Sequence, residues 1–500
     1  MWELAIGENF LQLDASSSIT IELVNPLFTQ SHIPGPVSYP VKAPIMPINQ
    51  KALGFPELTA STAKKKTFED TRLWVANILW KKGYLTMLGW SEKDYSLTFK
   101  SDAGSIAEDI KAKKLADFDL GTEALSYGVT AGTYPTYNYA LFPVKNPSFY
   151  GDQNPDFKGY LNYYHGGSFQ TNSTTNDYAI TPFPYMCHIL QRIMDELGYQ
   201  ITGTWFTDPG IQSLCLYNNY ALDKLNGNLN EFDTELDHRN HVPDITAAQF
   251  FLAVQNTFGV RFIFDTVKKT CKIITLKSPL TTTNKKDYSK KVEESKGGQP
   301  NTTNGFTLTM ALDSADNLIE IKDIEWSEKR IENGEKELPT SASTLFMASE
   351  EDTINTGRNW LIPETDQAGS SPEFEQGTNR FSLRLLAYRG MQNDSLGNPY
   401  PLGSWDNKDY SGAVIPDQPY TLRWEGDYGL YKQWHEEWIH FLSTTEPYDR
   451  QIRLDITDLL SIDYEQQYTI DYINYLWKSI RVTIDRKRGI RPAKVQLLKI

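Results

Sequence analysis

Five hundred residues with a formal net charge of −14 exclude a general nucleic-acid binder, because phosphate contacts need clustered Lys and Arg. No run approaches the roughly 20 apolar residues a spanning helix needs, and Met1-Trp2-Glu3-Leu4 lacks the basic and apolar regions of a secretory signal, so the expectation is a soluble chain made in the cytoplasm, without membrane insertion. Cys187, Cys215 and Cys271 are far apart and odd in number, which fits reduced, packed thiols and not a disulfide framework or a CxxC metal site.

At roughly 100–200 residues per domain the length predicts three or four domains. Ser18 to Val24 reads as a strand. A stretch studded with Pro26, Pro34, Pro36, Pro40, Pro44, Pro47 and Pro56 follows. Proline fixes φ and removes a donor, so this stretch is expected to be neither helix nor central strand but an extended surface arm. Leu73 to Trp80, a turn at Lys81-Lys82-Gly83, Tyr84 to Leu88 and Tyr95 to Phe99 predict a meander or small barrel. Ile106, Ile110 and Leu115 suggest a short helix. Residues 121–180 are rich in Gly, Asn, Thr, Tyr and Ser and read as long loops or an insertion.

Met186, Ile189, Leu190, Ile193, Met194 and Leu197 recur at helical spacing before Gly198, a natural C-terminal cap. Thr246 and Gln249 have capping-box form, and Phe250, Phe251, Val254 and Phe258 make the stripe of a helix ended by Gly259. Val260 to Phe264 and Cys271 to Leu276 predict a hairpin after it. Residues 281–304 read as a linker or long loop. Residues 305–420 look strand-poor, with Asn379 to Tyr388 the clearest strand. Leu430, Trp434, Trp438 and Phe441 define one helix face. Four strands are expected after it, at Ile452-Leu454-Ile456, Tyr468 to Ile470, Leu476 to Ile484 and Ala493 to Leu498. The fold class is therefore α+β and β-rich, a multidomain chain with small β-barrel or sandwich domains plus a helix-and-hairpin module. Five segments are expected: 1–120, 121–240, 241–304, 305–420 and 421–500.

Few motifs invite chemistry. His435 and His440 stand five apart, so they diverge by about 140° around a helix and miss the four-residue spacing of HExxH. The better reading is two partly exposed helical histidines. Asp237-His238-Arg239-Asn240-His241 reads as a polar loop. Gly166-Gly167-Ser168 and Gly297-Gly298 match neither the phosphate-binding nor the dinucleotide pattern. Among 63 carboxylates nothing singles out a glycosidase pair. Lys64-Lys65-Lys66 and Asp485-Arg486-Lys487-Arg488 are basic clusters that fit solvated loops or contacts to an acidic neighbouring subunit. No catalytic, cofactor-binding or metal-ligating residue is assigned, and no cofactor is expected. The aromatic content, 28 Tyr, 23 Phe and 12 Trp, serves strands and interfaces or stacks on sugars. The Tyr-rich region 121–220, with Trp205, keeps open an alternative, a carbohydrate-binding or carbohydrate-cleaving protein.

Several segments together resemble tail proteins of phages of Bacteroidetes-type bacteria. They are Ser18 to Phe55, with Asn25-Pro26-Leu27-Phe28, Ile33-Pro34-Gly35, Tyr39-Pro40 and Ala52 to Pro56, then Leu79 to Leu85, Leu422 to Leu430, Trp477 to Ile484 and Ile490 to Leu498. Asp244 to Leu276 is similar to the helix-plus-hairpin module of baseplate hub proteins. The resemblance implies a non-enzymatic virion protein, a baseplate or tail hub at the tail tip. Its implied partners are itself, in a homo-oligomeric ring such as a trimer, and tail-tube and tail-tip or spike proteins. Nucleic acid would at most pass through the lumen.

Overall fold

The computed structural model describes residues 2–29, 37–58, 66–101, 110–124, 132–171, 177–224, 231–232, 235–303, 305–371, 374–375, 381–416 and 418–500. It is β-rich α+β and divides into two compact units, each made of discontinuous chain. The first holds 1–109, 260–303 and 437–500, and the second 110–259 and 304–436. The five sequence segments are distributed over these units, and 1–120, 241–304 and 421–500 each straddle a boundary.

The first unit is built on one 15-stranded sheet with half-barrel form. Its centre is the strand Ser18–Val24, antiparallel to Ile473–Asp485 over seven consecutive pairs from Ser18–Asp485 to Val24–Ser479. The alternation of Ser18–Val24 dictates its sides. Ile19, Ile21 and Leu23 are buried with Ile480, Val482 and Ile484, and Thr20 and Glu22 lie on the other face. Asp94–Ser101 alternates as regularly and buries Tyr95, Leu97 and Phe99 in the same core. Along the C-terminal strands neighbouring side chains go to opposite faces. Trp477 and Leu497 enter the main core, while Leu476 and Leu498 pack with Leu27, Ile274, Leu276, Trp438 and Phe441 in a second one.

Several expectations change in this unit. The proline stretch contains an α-helix, Pro47–Leu53, and a strand, Val41–Pro44. Proline is tolerated at the first helical turn, where its missing N–H has no partner to lose, and Pro44 closes a strand that, among the described residues, pairs only with Asp94–Ser101. Ile33, Pro34, Pro36 and Gly35 lie outside the described residues. The hairpin turn falls at Ala76-Asn77, both at positive φ (49° and 63°), the geometry of a primed two-residue turn. Lys81-Lys82-Gly83 sits inside the long strand Ile78–Trp90. Residues 281–304 are no linker. Lys285–Asp287 pairs with Gln467–Ile470, and Val292–Gly298 pairs with Pro447–Ile452, so a polar sequence forms sheet because backbone pairing needs no apolar side chain. Ile456 opens a helix, Ile456–Leu460, capped by Asp455 and Asp458.

The second unit is assembled from small sheets. Leu214–Tyr217, Leu383–Asn393, Ala342–Ser343 and Pro399–Ser404 form one, and Tyr160–Leu161, Val144–Lys145, Asn359–Glu364 and Phe346–Glu351 another. The region 305–420 is therefore strand-rich. The strand expected at Asn379 to Tyr388 is observed as Leu383–Asn393, buried on both faces up to Arg389, while others, such as Ala342–Ser343, are too short to show a pattern. The helices Met186–Glu196 and Ala247–Phe258 form as expected. Thr246 and Gln249 cap the second reciprocally, and Gly259 ends it with φ 53°. A Cβ at Gly259 would lie 2.5 Å from the Trp434 carbonyl oxygen. The expected helical face begins with a π-turn, Tyr431–His435, and continues as Glu436–Thr444. Leu115 opens a 3-10 turn, and Ile106 and Asn379 lie outside the described residues.

Asn25 joins the two chain ends of the first unit. Its backbone N–H donates to the Lys478 carbonyl (2.9 Å), its Nδ2 donates to the Trp477 carbonyl (2.9 Å), and its Oδ1 accepts from Leu27 N–H (3.1 Å). Asn25→Ala leaves buried groups unpaired and is expected to destabilise the first unit by about 2–3 kcal/mol. Urea unfolding checks this, and an unchanged midpoint contradicts it.

Candidate functional site

The histidines noted in the sequence are placed very differently from one another. His440 is exposed. His435 is buried, donates Nε2–H to the Thr257 carbonyl (3.1 Å) and meets Trp424 edge-on, so it is a packed residue rather than a partly exposed one. No group of three or more His, Cys, Asp or Glu side chains is arranged to hold a metal among the described residues.

His238 and His241 are buried, not part of a solvated loop. Asp237 caps their 3-10 turn, and the turn closes on His188, a helical residue with no sequence signal of its own. The His188 and His238 rings lie 4.6 Å apart between centroids. His188 Nε2 donates to the Leu120 carbonyl (3.0 Å), and His238 Nε2 meets Glu123 Oε1 at 2.6 Å. His241 Nδ1 donates to Asn218 Oδ1 (3.0 Å), an amide oriented by its own Nδ2 bond to the Pro182 carbonyl (2.6 Å). Burial pushes His188 down to about 4 and His241 down to about 3. For Glu123, burial acts upward, but the bond and charge of His238 outweigh it and hold the carboxyl below its usual range. With His238 only 1% exposed, this group is a packing element closed to substrate. The three thiols are equally inert, since Cys187, Cys215 and Cys271 are all buried and pushed up by burial.

Buried arginines organise the rest of the second unit. Arg384 Nη1 donates to Asp316 (2.6 Å), its Nη2 donates to Gln367, and Asp313 stands 3.6 Å away. Arg358 bridges Asp394 (2.7 Å) and Asp352 (3.3 Å), and Asp352 also accepts from the Tyr163 hydroxyl (2.8 Å). These charges are paired, so they lock the surrounding loops together. The aromatics that motivated a sugar-binding reading fill the same interior: Tyr150, Tyr160, Tyr163, Tyr185, Trp205 and Tyr217 are all buried.

The glycine pairs lie in turns or strands. Gly166 and Gly167 connect Tyr164–His165 to Ser168–Phe169, and Gly297 and Gly298 end the strand Val292–Gly298. Asp485-Arg486-Lys487-Arg488 forms a hairpin turn, with Asp485 paired to Arg491 (2.5 Å). Lys64 and Lys65 lie outside the described residues.

Sequence reasoning missed an open cavity of about 850 Å³ in the second unit. Trp326 and Trp405 form walls, with Arg423 between them. The Arg423 guanidinium lies 3.6 Å from the Trp405 ring centre and 5.0 Å from that of Trp326. Trp326 is held by its Nε1 bond to the Asp323 carbonyl (3.1 Å) and by edge-on packing with Phe346. The Trp405 backbone carbonyl accepts from Leu422 N–H (2.9 Å). Asp323, Glu325, Asp406, Glu425 and Asp427 line the opening with Lys408. The residues come from distant loops, so no spacing announced them.

No family model matches the chain, and no curated protein matches it. Among solved structures the chain is similar to the 43 kDa tail protein of prophage MuSo2 from Shewanella oneidensis, with 9% identity, a TM-score of 0.36, and 99% of this chain and 97% of that one covered. It is also similar to a tail protein from Neisseria meningitidis MC58, with 8% identity, a TM-score of 0.36, and 99% and 95% covered. A third similar structure is the Francisella PdpA-VgrG complex, with 8% identity, a TM-score of 0.29, and 100% and 58% covered.

Two outcomes test the buried groups. His188 and His241 are neutral in the folded state and titrate below their unfolded value near 6.5, so the unfolded chain takes up protons first. Stability is complete above that value and is lost as pH falls toward 4, by on the order of 2–3 kcal/mol for His188. Melting followed from pH 7 to pH 4 checks this, and a flat profile contradicts it. Arg384→Ala strands Asp316 and Asp313 and is expected to cost about 3–5 kcal/mol. A urea midpoint equal to wild type would contradict that.

Proposed function

We propose that the chain is a structural subunit of a phage tail or tail-like injection machine, a hub that assembles with copies of itself in a ring and meets tube and tip proteins without catalysis. The observation that carries this reading is the distribution of exposed apolar side chains. Among the described residues, 13 of 18 exposed large hydrophobic residues lie on the first unit, the smaller one. Leu88 is 58% exposed, Trp90 43% and Tyr472 fully exposed. Their concentration on one unit supports a surface there that a partner covers. The sequence resemblance supports the same unit. Ile78–Trp90, Ile473–Asp485 and Ala493–Lys499, which carry Leu79 to Leu85, Trp477 to Ile484 and most of Ile490 to Leu498, are strands of one sheet.

The interior of the second unit supports a rigid building block. Its titratable residues are spent on internal pairs, and its aromatics on cores. Replacing Leu88 and Trp90 by lysine is expected to weaken self-association by about tenfold or more, with the melting temperature unchanged. Native mass spectrometry of the purified chain checks this. Wild-type monomer at tens of micromolar, or oligomers indifferent to both substitutions, contradicts it.

A further inference from the structure

The acidic, aromatic cavity of the second unit lacks a role in the packing just described, and its chemistry is legible from the residue it already holds. Arg423 lies over Trp405 and near Trp326, the arrangement in which aromatic faces attract cations. Burial pushes Arg423 down to about 10, and the charges of Asp406 and Asp323 act against that fall. The cavity thus binds one guanidinium by rings and carboxylates together. It has acid to spare. Five carboxylates line it against two cations, Arg423 and Lys408. Glu425 is partly satisfied by Lys329 (2.8 Å). Asp323, Glu325 and Asp427 are exposed at the opening. A ring face covered by Arg423 is not free to stack on a sugar, so the vacancy suits a second cation.

The same chain presents one. The turn between Ile473–Asp485 and Gly489–Ile490 carries Arg486, Lys487 and Arg488. Asp485 is neutralised by Arg491, and the Arg486 side chain is bound to the Leu13 carbonyl. Lys487 and Arg488 are exposed and have no ion-pair partner among the described residues. A hairpin turn with two exposed cations complements in charge an open cavity with surplus carboxylates.

We propose that the Lys487-Arg488 turn of one copy docks in the Trp326–Trp405 cavity of a second copy. The contact is head-to-tail, because cavity and turn are different surfaces, and a head-to-tail contact propagates into a ring when its rotation closes. The inference rests on the ring reading above and supplies one of its contacts.

The test uses two full-length variants, one with Lys487→Glu and Arg488→Glu, the other with Glu325→Lys and Asp427→Lys, each checked for wild-type melting. Mass photometry of wild type is expected to show closed oligomers that weaken with added salt. Each variant alone is expected to associate about tenfold more weakly. An equimolar mixture pairs the intact turn of one variant with the intact cavity of the other, and the acidic turn with the basic cavity, and is expected to recover association. A peptide spanning residues 484–490 is expected to compete with wild-type assembly. Variants that assemble as well as wild type overturn this contact while leaving the ring standing. A mixture that remains monomeric overturns the pairing of turn with cavity. Wild type that is monomeric throughout overturns the ring reading and this contact with it. Quenching of the cavity tryptophans by a neutral oligosaccharide but not by the basic peptide overturns the choice of a cationic occupant.

Discussion

The antiparallel ladder between Ser18–Val24 and Ile473–Asp485 is the constraint on which the first unit depends. It joins segments more than 450 residues apart in sequence. Ordering so long a loop is entropically costly, yet the cost grows only slowly with length. It is offset by burial of Ile19, Ile21 and Leu23 against Ile480, Val482 and Ile484 and by the Asn25 bonds at the end of the ladder. Everything else in the sheet is propagated outward from this pair. Val37–Ser38 and the N-terminal hairpins extend one side, and Ala493–Lys499 and Pro447–Ile452 the other. The second unit lies in sequence between these two ends, as chain 110–259 and 304–436.

The second unit solves a different problem. Its strands are short, several only two residues long, and such strands cannot specify a core by alternation. Paired buried charges supply the specificity. Arg384 gathers residues 313, 316 and 367, and Arg358 gathers 352 and 394. A misregistered loop leaves a buried guanidinium without its carboxylate, which costs far more than a lost apolar contact. The histidines at 188, 238 and 241 add polar bonds to this interior.

Legibility followed the physics of each element. Regular alternation or helical spacing with caps was readable, as in Ser18–Val24, Met186–Glu196 and the Thr246–Gln249 capping box. Proline was over-read, because Pro47 starts a helix where its missing donor costs nothing. The Ala76-Asn77 turn was missed because alanine rarely takes positive φ, whereas the Lys81-Lys82-Gly83 segment looks like a turn and lies in a strand. Strands without alternation were invisible, such as polar Val292–Gly298 and two-residue Ala342–Ser343, whereas Leu383–Asn393 was legible as the strand expected at Asn379 to Tyr388. The cavity was the least legible feature. Trp326, Trp405 and Arg423 are brought together only by the tertiary fold, and each alone is an ordinary residue.

A structural subunit needs a stable interior, partner-facing surfaces and little exposed chemistry, and the distribution of residues in this chain follows that division. The most direct measurement of the central claim is an electron cryomicroscopy map of intact particles with this chain traced in it. The account predicts several copies in a closed ring at the end of the tail, with Leu88, Trp90 and Tyr472 covered by neighbouring protein. A chain absent from the particle, or present as a single copy with those residues facing solvent, would contradict it.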